Sequence, residues 1–250
     1  MKKIFFLLIA TFLFAQNIET YLYSVNVDYR EYDSNGAYLD GESNSFGDLN
    51  GIGVKYHNAY ANIKYYIKGE YAYGSTTYDG QTWSGTPLTL KKNNAWILNI
   101  QAALAPRRSP LYIGVGYRGW DRGYSDYPGD YDEYYYWPYM SFGYSYVFKI
   151  NKLFVLPEIE YQYAINPKLD AKIGSGATLD LGTTTGYKAE LKFGYVYNNL
   201  LITCFYRYQF WHISPSQPAV ITLNGSQVTI YEPESYTRNQ YLGIGVLFKF

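Results

Sequence analysis

The residues best equipped for chemistry lie in Phe210-Trp211-His212-Ile213-Ser214. A histidine two positions before a serine shares a strand face with it. A base beside a hydroxyl is the pairing acyl transfer uses, once a carboxylate orients the imidazole. Glu232 and Glu234, just ahead of the next alternating segment, are the carboxylates within reach. His57 is the only other histidine and has no acid beside it, so it reads as a turn residue. A second cluster spans 121–133, where Asp121, Asp126, Asp130, Asp132 and Glu133 stand against Arg122. Asp126, Asp130 and Asp132 are its candidate metal ligands, for Ca2+ above all. Their spacing lacks the ligand order of an EF-hand, and a solvated acidic loop is the simpler reading. Cys204 is the single cysteine. With no Cys/His cluster, phosphate-binding glycine loop or nucleic-acid module, no cofactor is expected. Lys+Arg and Asp+Glu each total 21, so no global charge draws the chain to nucleic acid.

These groups must be held by strands. Met1-Lys2-Lys3, an apolar run from Ile4 to Phe14, and Ala15 have the layout of a cleaved export signal over 1–15. From 16 to 250 the chain alternates with a period of two and shows no convincing helical period. In Tyr21–Arg30, Tyr21, Tyr23, Val25, Val27 and Tyr29 take one face; Leu22, Ser24, Asn26, Asp28 and Arg30 take the other. The pattern predicts ten strands, at 18–32, 47–56, 59–74, 93–104, 110–120, 135–149, 152–165, 181–197, 200–213 and 236–250. Eight and twelve stay open as alternatives, since boundaries are the weakest part of such a reading. Short turns at 57–58, 106–109, 150–152 and 198–199 alternate with five long polar loops, near 33–46, 75–92, 121–134, 166–180 and 214–235.

Short turns on one side and long loops on the other suit an all-β, closed antiparallel transmembrane barrel, in which every backbone polar group finds a partner. If the apolar faces meet lipid, parity places Arg30, Lys64, Lys68, Glu70, Arg118, Glu158, Glu160, Lys188, Glu190, Lys192 and Arg207 in the lumen. Lys55, Gln101, Gln162, Gln209 and Asn239 join them. Ten strands lie near the size at which side chains fill a barrel. The expectation is a lumen cross-linked by ion pairs; a narrow pore with mild anion preference is the alternative. Trp96, Trp120, Trp137 and Trp211 near the long loops, and Tyr56, Tyr60, Phe148, Phe154, Tyr197, Phe248 and Phe250 near the short turns, are expected to form two interfacial belts.

The ending Tyr241-Leu-Gly-Ile-Gly-Val-Leu-Phe-Lys-Phe250, with Val246, Phe248 and terminal Phe250 on one face, resembles the C-terminal signal of bacterial outer-membrane β-barrel proteins. The resemblance is to a class. It implies recognition by the barrel-assembly machinery and surroundings of outer-membrane lipid and lipopolysaccharide. His212-x-Ser214 looks like the pair of outer-membrane lipid A deacylases, which would make His212 the base and Ser214 the nucleophile. Pro215 stands where that family has asparagine, which puts the oxyanion-stabilising arrangement in doubt. The ten-stranded omptin proteases use paired aspartates and a His–Asp pair, whereas His212 is flanked by Trp211 and Ile213. The expected role is therefore non-enzymatic, structural or surface-interacting.

Overall fold

The computed structural model describes residues 17–82 and 85–248. The expected export signal, Lys249, Phe250 and the side chain of Phe248 lie outside the described residues. Alternating residues keep one side-chain face of each strand inward, and ten strands close into one antiparallel ring. They are β1 (Ile18–Asn26), β2 (Leu49–Tyr60), β3 (Ile63–Gln81), β4 (Pro87–Pro106), β5 (Leu111–Asp121), β6 (Glu133–Ser145), β7 (Leu153–Ala164), β8 (Thr184–Tyr197), β9 (Leu200–Ile213) and β10 (Glu234–Phe248). Each pairs with its successor, and β10 returns to β1, with Thr20 opposite Val246 and Asn26 opposite Gln240. Closure leaves the ten-strand ring itself without an open edge among the described residues. No helix occurs among the described residues.

Three of the four tight turns pivot on residues in the left-handed region: Ala61 (φ 51°), Asn151 (φ 55°) and Asn198 (φ 52°). Asparagine tolerates that region better than most side chains. The first turn falls at Ala61-Asn62 and not at His57-Asn58. β2 therefore runs four residues further than the sequence suggests, and His57 is a strand residue paired with Tyr66. The long loops carry ordered strand structure. β3 and β4 extend their ladder to Gln81–Pro87. Asp28–Tyr32 bridges β10 to Tyr38–Ser43, while Lys168–Ala171 pairs with Ala177–Asp180 and with β6. Ala219–Leu223 and Ser226–Ile230 form a separate hairpin.

Parity holds on β3 to β10, where the polar residues face inward. On β1 it is inverted. Tyr21 is 4% exposed and Leu22 60%, so Tyr21, Tyr23, Val25, Val27 and Tyr29 line the interior. Arg30 consequently lies outside the lumen, exposed and paired with Asp28 at 2.9 Å. The physical reason is that tyrosine is amphipathic. Its ring fills the lumen while its hydroxyl reaches a buried carboxylate, as Tyr21 does at Glu70 Oε1, 2.7 Å away.

Candidate functional site

The middle of the lumen is a network of paired charges. Glu70 accepts from Lys68 at 3.1 Å and Arg207 at 2.8 Å, and Arg207 also donates to Glu190 at 2.7 Å. Lys192 meets Glu19 at 2.9 Å, and Lys188 sits between Glu158 (2.7 Å) and Glu160 (3.0 Å). Tyr112 and Gln101 donate to Glu160 at 2.7 and 2.8 Å, and Gln209 donates to Gln162 at 3.0 Å. Buried ions are tolerable only when paired and hydrogen-bonded to this degree. Lys64 lies half-buried nearer the short turns. Arg118 is fully buried and apart from this network. It donates to Asn99 at 3.2 Å and lies 6.0 Å from the Trp211 ring, with no carboxylate in ion-pair range among the described residues.

Above the charges the lumen is aromatic. Trp137 and Trp211 meet edge to face at 5.1 Å, Trp120 stacks on Tyr135 at 5.1 Å, and all three tryptophans are buried inside. They are not an interfacial belt. The outer-face rings near the long loops are instead Trp96 with Tyr134 and Tyr136 on one side, and Tyr187, Phe210, Tyr236 and His212 on the other. Phe154 also leaves its expected belt, because its ring lies inside over Gly194.

At the long-loop mouth lies a cluster that parity reasoning missed, since Glu31 and Glu42 share the face of the inverted tyrosines. Arg122 donates to Glu31 (3.1 Å), Glu42 (2.9 Å) and Glu133 (2.5 Å), and its guanidinium lies 4.6 Å from the Tyr29 ring centre. Tyr29 Oη lies 2.7 Å from Glu31 and 2.8 Å from Glu232, while Tyr135 Oη lies 2.7 Å from Glu232. Tyr29 has one hydroxyl proton to donate, so satisfying both of its carboxyl contacts requires a proton on one of them. Glu31 meets Arg122, whereas Glu232 has no cation in ion-pair range among the described residues, which places the proton on Glu232. Burial, reinforced by Glu133, pushes its carboxyl up to about 8. The carboxyl of Glu31 is also raised by burial and by Glu232. Glu232 therefore points into the barrel, away from His212.

His212 lies on the outer face. Its Nε2 is 2.8 Å from Glu234 Oε1, which also accepts from the Tyr236 hydroxyl at 2.8 Å. The imidazole stacks on Tyr236 at 5.0 Å. The structure thus brings together base and orienting acid. Ser214 follows β9, where its backbone N–H donates to Thr183. No hydrogen bond joins its hydroxyl to His212 among the described residues. The acidic segment does not converge either: Asp130 receives Ser125 N–H at 2.7 Å and faces Lys92 at 3.4 Å, Asp132 pairs with Lys172 at 2.9 Å, and Asp126 is exposed. No metal-binding group of three His, Cys, Asp or Glu residues forms among the described residues.

A scan against protein-family models finds no match, and neither does a search of curated proteins. Among solved structures the chain is similar to the outer membrane protease OmpT from Escherichia coli. Identity is 13% and TM-score 0.55, over 94% of this chain and 97% of OmpT. It is also similar to the transport unit of the autotransporter AIDA-I from Escherichia coli, at 9% identity and TM-score 0.46, over 95% and 91% of the two chains. The likeness to OmpT is one of fold alone. The architecture is that of the bacterial outer-membrane β-barrels.

Proposed function

We propose that this chain is a non-conducting outer-membrane barrel that acts through its long-loop end, as a structural or surface-interaction protein. The observation that carries the reading is the filled lumen: paired charges around Glu70 and Arg207, packed tryptophans above them, and the Arg122 cluster at the mouth. In this reading 1–15 directs export and Phe250 with Val246 and Phe248 engages the assembly machinery. The short turns face the periplasm, and the ordered hairpins of the long loops meet the exterior. Lipid and lipopolysaccharide surround the outward rings of Trp96, Tyr134, Tyr187 and Phe210.

The test is conductance of refolded protein in planar bilayers, with an intact barrel verified by heat-modifiable electrophoretic mobility. Wild type should be silent, whereas Lys68→Ala/Glu70→Ala/Arg207→Ala should conduct. Discrete openings in wild type would overturn the reading in favour of an anion-preferring channel. The His212–Glu234 contact favours a second reading, an esterase acting on acyl chains at the outer leaflet, with Ser214 as nucleophile. Release of fatty acid from lipopolysaccharide, abolished by Ser214→Ala, would establish it.

A further inference from the structure

The two mouths of the barrel carry opposite charge. The long-loop cavity, about 650 Å³, is lined by five carboxylates (Glu31, Asp40, Asp130, Glu133, Glu232) and two cations (Lys92, Arg122). The short-turn cavity, about 720 Å³, is lined by six cations and two carboxylates. Both of those carboxylates are already engaged, Glu19 by Lys192 and Glu158 by Lys188. Lys64, Arg107, Lys149 and Lys152 have no carboxylate in ion-pair range among the described residues, and Lys55 lies over the Tyr66 ring at 4.2 Å.

The walls are unequal. Lys55 and Lys64 project inward from β2 and β3. From β7, β9 and β10 come Phe154, Leu156, Leu201 and Leu247, on strands that also bring Glu158 and Thr203 to the cavity. Ala103 and Ala105 keep the β4 side shallow, packed with Tyr112 and Tyr66. A cavity that sets cations without carboxylate partners beside apolar side chains matches a ligand with one acidic head and an apolar body. Such a volume suits a small amphiphile.

We propose that the short-turn vestibule binds amphiphilic anions: a carboxylate, sulfate or phosphate monoester held by Lys55 and Lys64, with its chain against Phe154, Leu201 and Leu247. Neither the sealed lumen above it nor the outer-face histidine takes part.

The probe is decanoate, titrated calorimetrically below its micellar range into the barrel in phosphatidylcholine nanodiscs, with empty nanodiscs subtracted. Saturable binding at one site per barrel is expected, weakened at least tenfold in Lys55→Gln/Lys64→Gln. Ala105→Trp, which fills the cavity, should abolish it while heat-modifiable mobility shows an intact barrel. Decanol and inorganic phosphate should not saturate the site. Binding no stronger than to empty nanodiscs, binding indifferent to both variants, or equal binding of inorganic phosphate would overturn the proposal. Mass spectrometry of organic extracts separates the sources. An anionic lipid near one per barrel in wild type, depleted in Ala105→Trp, assigns the site to a membrane-derived occupant. Extracts free of it, with decanoate still bound, assign the site to a soluble anion.

Discussion

Gly53 lies directly across the β1–β2 ladder from Tyr21, and a Cβ added to Gly53 would overlap the tyrosine ring. The same relation joins Gly51 to Tyr23, Gly143 to Tyr112, Gly116 to Tyr139, Gly194 to Phe154 and Gly243 to Phe205. Each of these six glycines is a seat for the ring opposite, so glycine and aromatic residue act as one packing unit. Gly53→Val should force Tyr21 off its seat and away from Glu70. Overpacking of about 1–3 kcal/mol is expected, plus roughly 1.5–3 kcal/mol for the hydrogen bond lost to the Glu70 carboxylate, which keeps Lys68 and Arg207. Urea unfolding should show the drop, and the cost should shrink in a Tyr21→Ala background. Equal cost in both backgrounds would mean that the ring is not what Gly53 accommodates.

This pairing also explains what the sequence hid. Alternation, three of the four short turns and the closing strand were legible because a period of two and a polar–apolar contrast suffice to place strands, while the first turn fell four residues later than expected. Which face points inward was legible wherever Lys, Glu and Gln shared a face, as on β3 and β8. It failed on β1, where tyrosines looked lipid-facing. The available signal was Glu19 and Glu31, which bracket that strand on the tyrosine face. Trp120, Trp137 and Trp211 failed for a related reason: position along a strand says how deep a residue sits, and parity alone says which side it takes. The Glu234 approach to His212 was within reach of sequence. The Arg122 cluster, with Tyr29 and Glu232, joins groups up to 203 residues apart and was not.

Two buried arginines should behave oppositely. Arg122 serves three carboxylates, so Arg122→Met should leave them uncompensated and cost about 3–5 kcal/mol. A Glu42→Gln/Arg122→Met double variant should recover part of that loss. Arg118 has only Asn99 and the Trp211 ring beside it. Replacing it with an apolar side chain of similar length removes an uncompensated buried charge, so Arg118→Met should be neutral or stabilising, by on the order of 1 kcal/mol. Chemical unfolding of both variants in parallel decides it; a large loss for Arg118→Met would require an unrecognised anionic partner.

The Glu232 proton makes the long-loop mouth sensitive to alkali. Its carboxyl is raised from the ordinary value to about 8, chiefly by burial and then by Glu133, while Arg122 and the hydroxyls of Tyr29 and Tyr135 pull the other way and Glu31 sits beside Tyr29. A raised carboxyl contributes stability that is fully present below its unfolded value and is lost as pH rises through its folded value. The cap should therefore loosen as pH climbs from the ordinary carboxylate range through about 8. Trp120, stacked on Tyr135, is a reporter at the site. Its fluorescence should shift between pH 6 and 9.5 in wild type, and the shift should be much smaller in Glu232→Gln, which stays neutral throughout. An identical shift in that variant would assign the transition to another group.

The outer-face histidine tests whether a catalytic pair is present or only half of one. Glu234 holds Nε2 of His212, and the Tyr236 hydroxyl holds Glu234, so the imidazole is oriented and its other nitrogen is left to face an acyl chain or a hydroxyl. A nucleophile must come within hydrogen-bond reach of its base, though such contacts often tighten only with substrate bound. Ser214 does not make that contact here, and Pro215 restrains the backbone after it. Under the non-enzymatic reading, Ser214→Ala and His212→Ala leave lipopolysaccharide acylation unchanged in cells producing the protein. His212→Ala lowers barrel stability by no more than about 1 kcal/mol, as expected for a partly exposed ion pair. Under the esterase reading, both substitutions abolish fatty-acid release, Glu234→Gln reduces it, and unfolding is unaffected by Ser214→Ala. Mass spectrometry of lipid A from wild-type and Ser214→Ala cells separates the two, because a change in acyl-chain number that depends on Ser214 cannot arise from a structural role of His212.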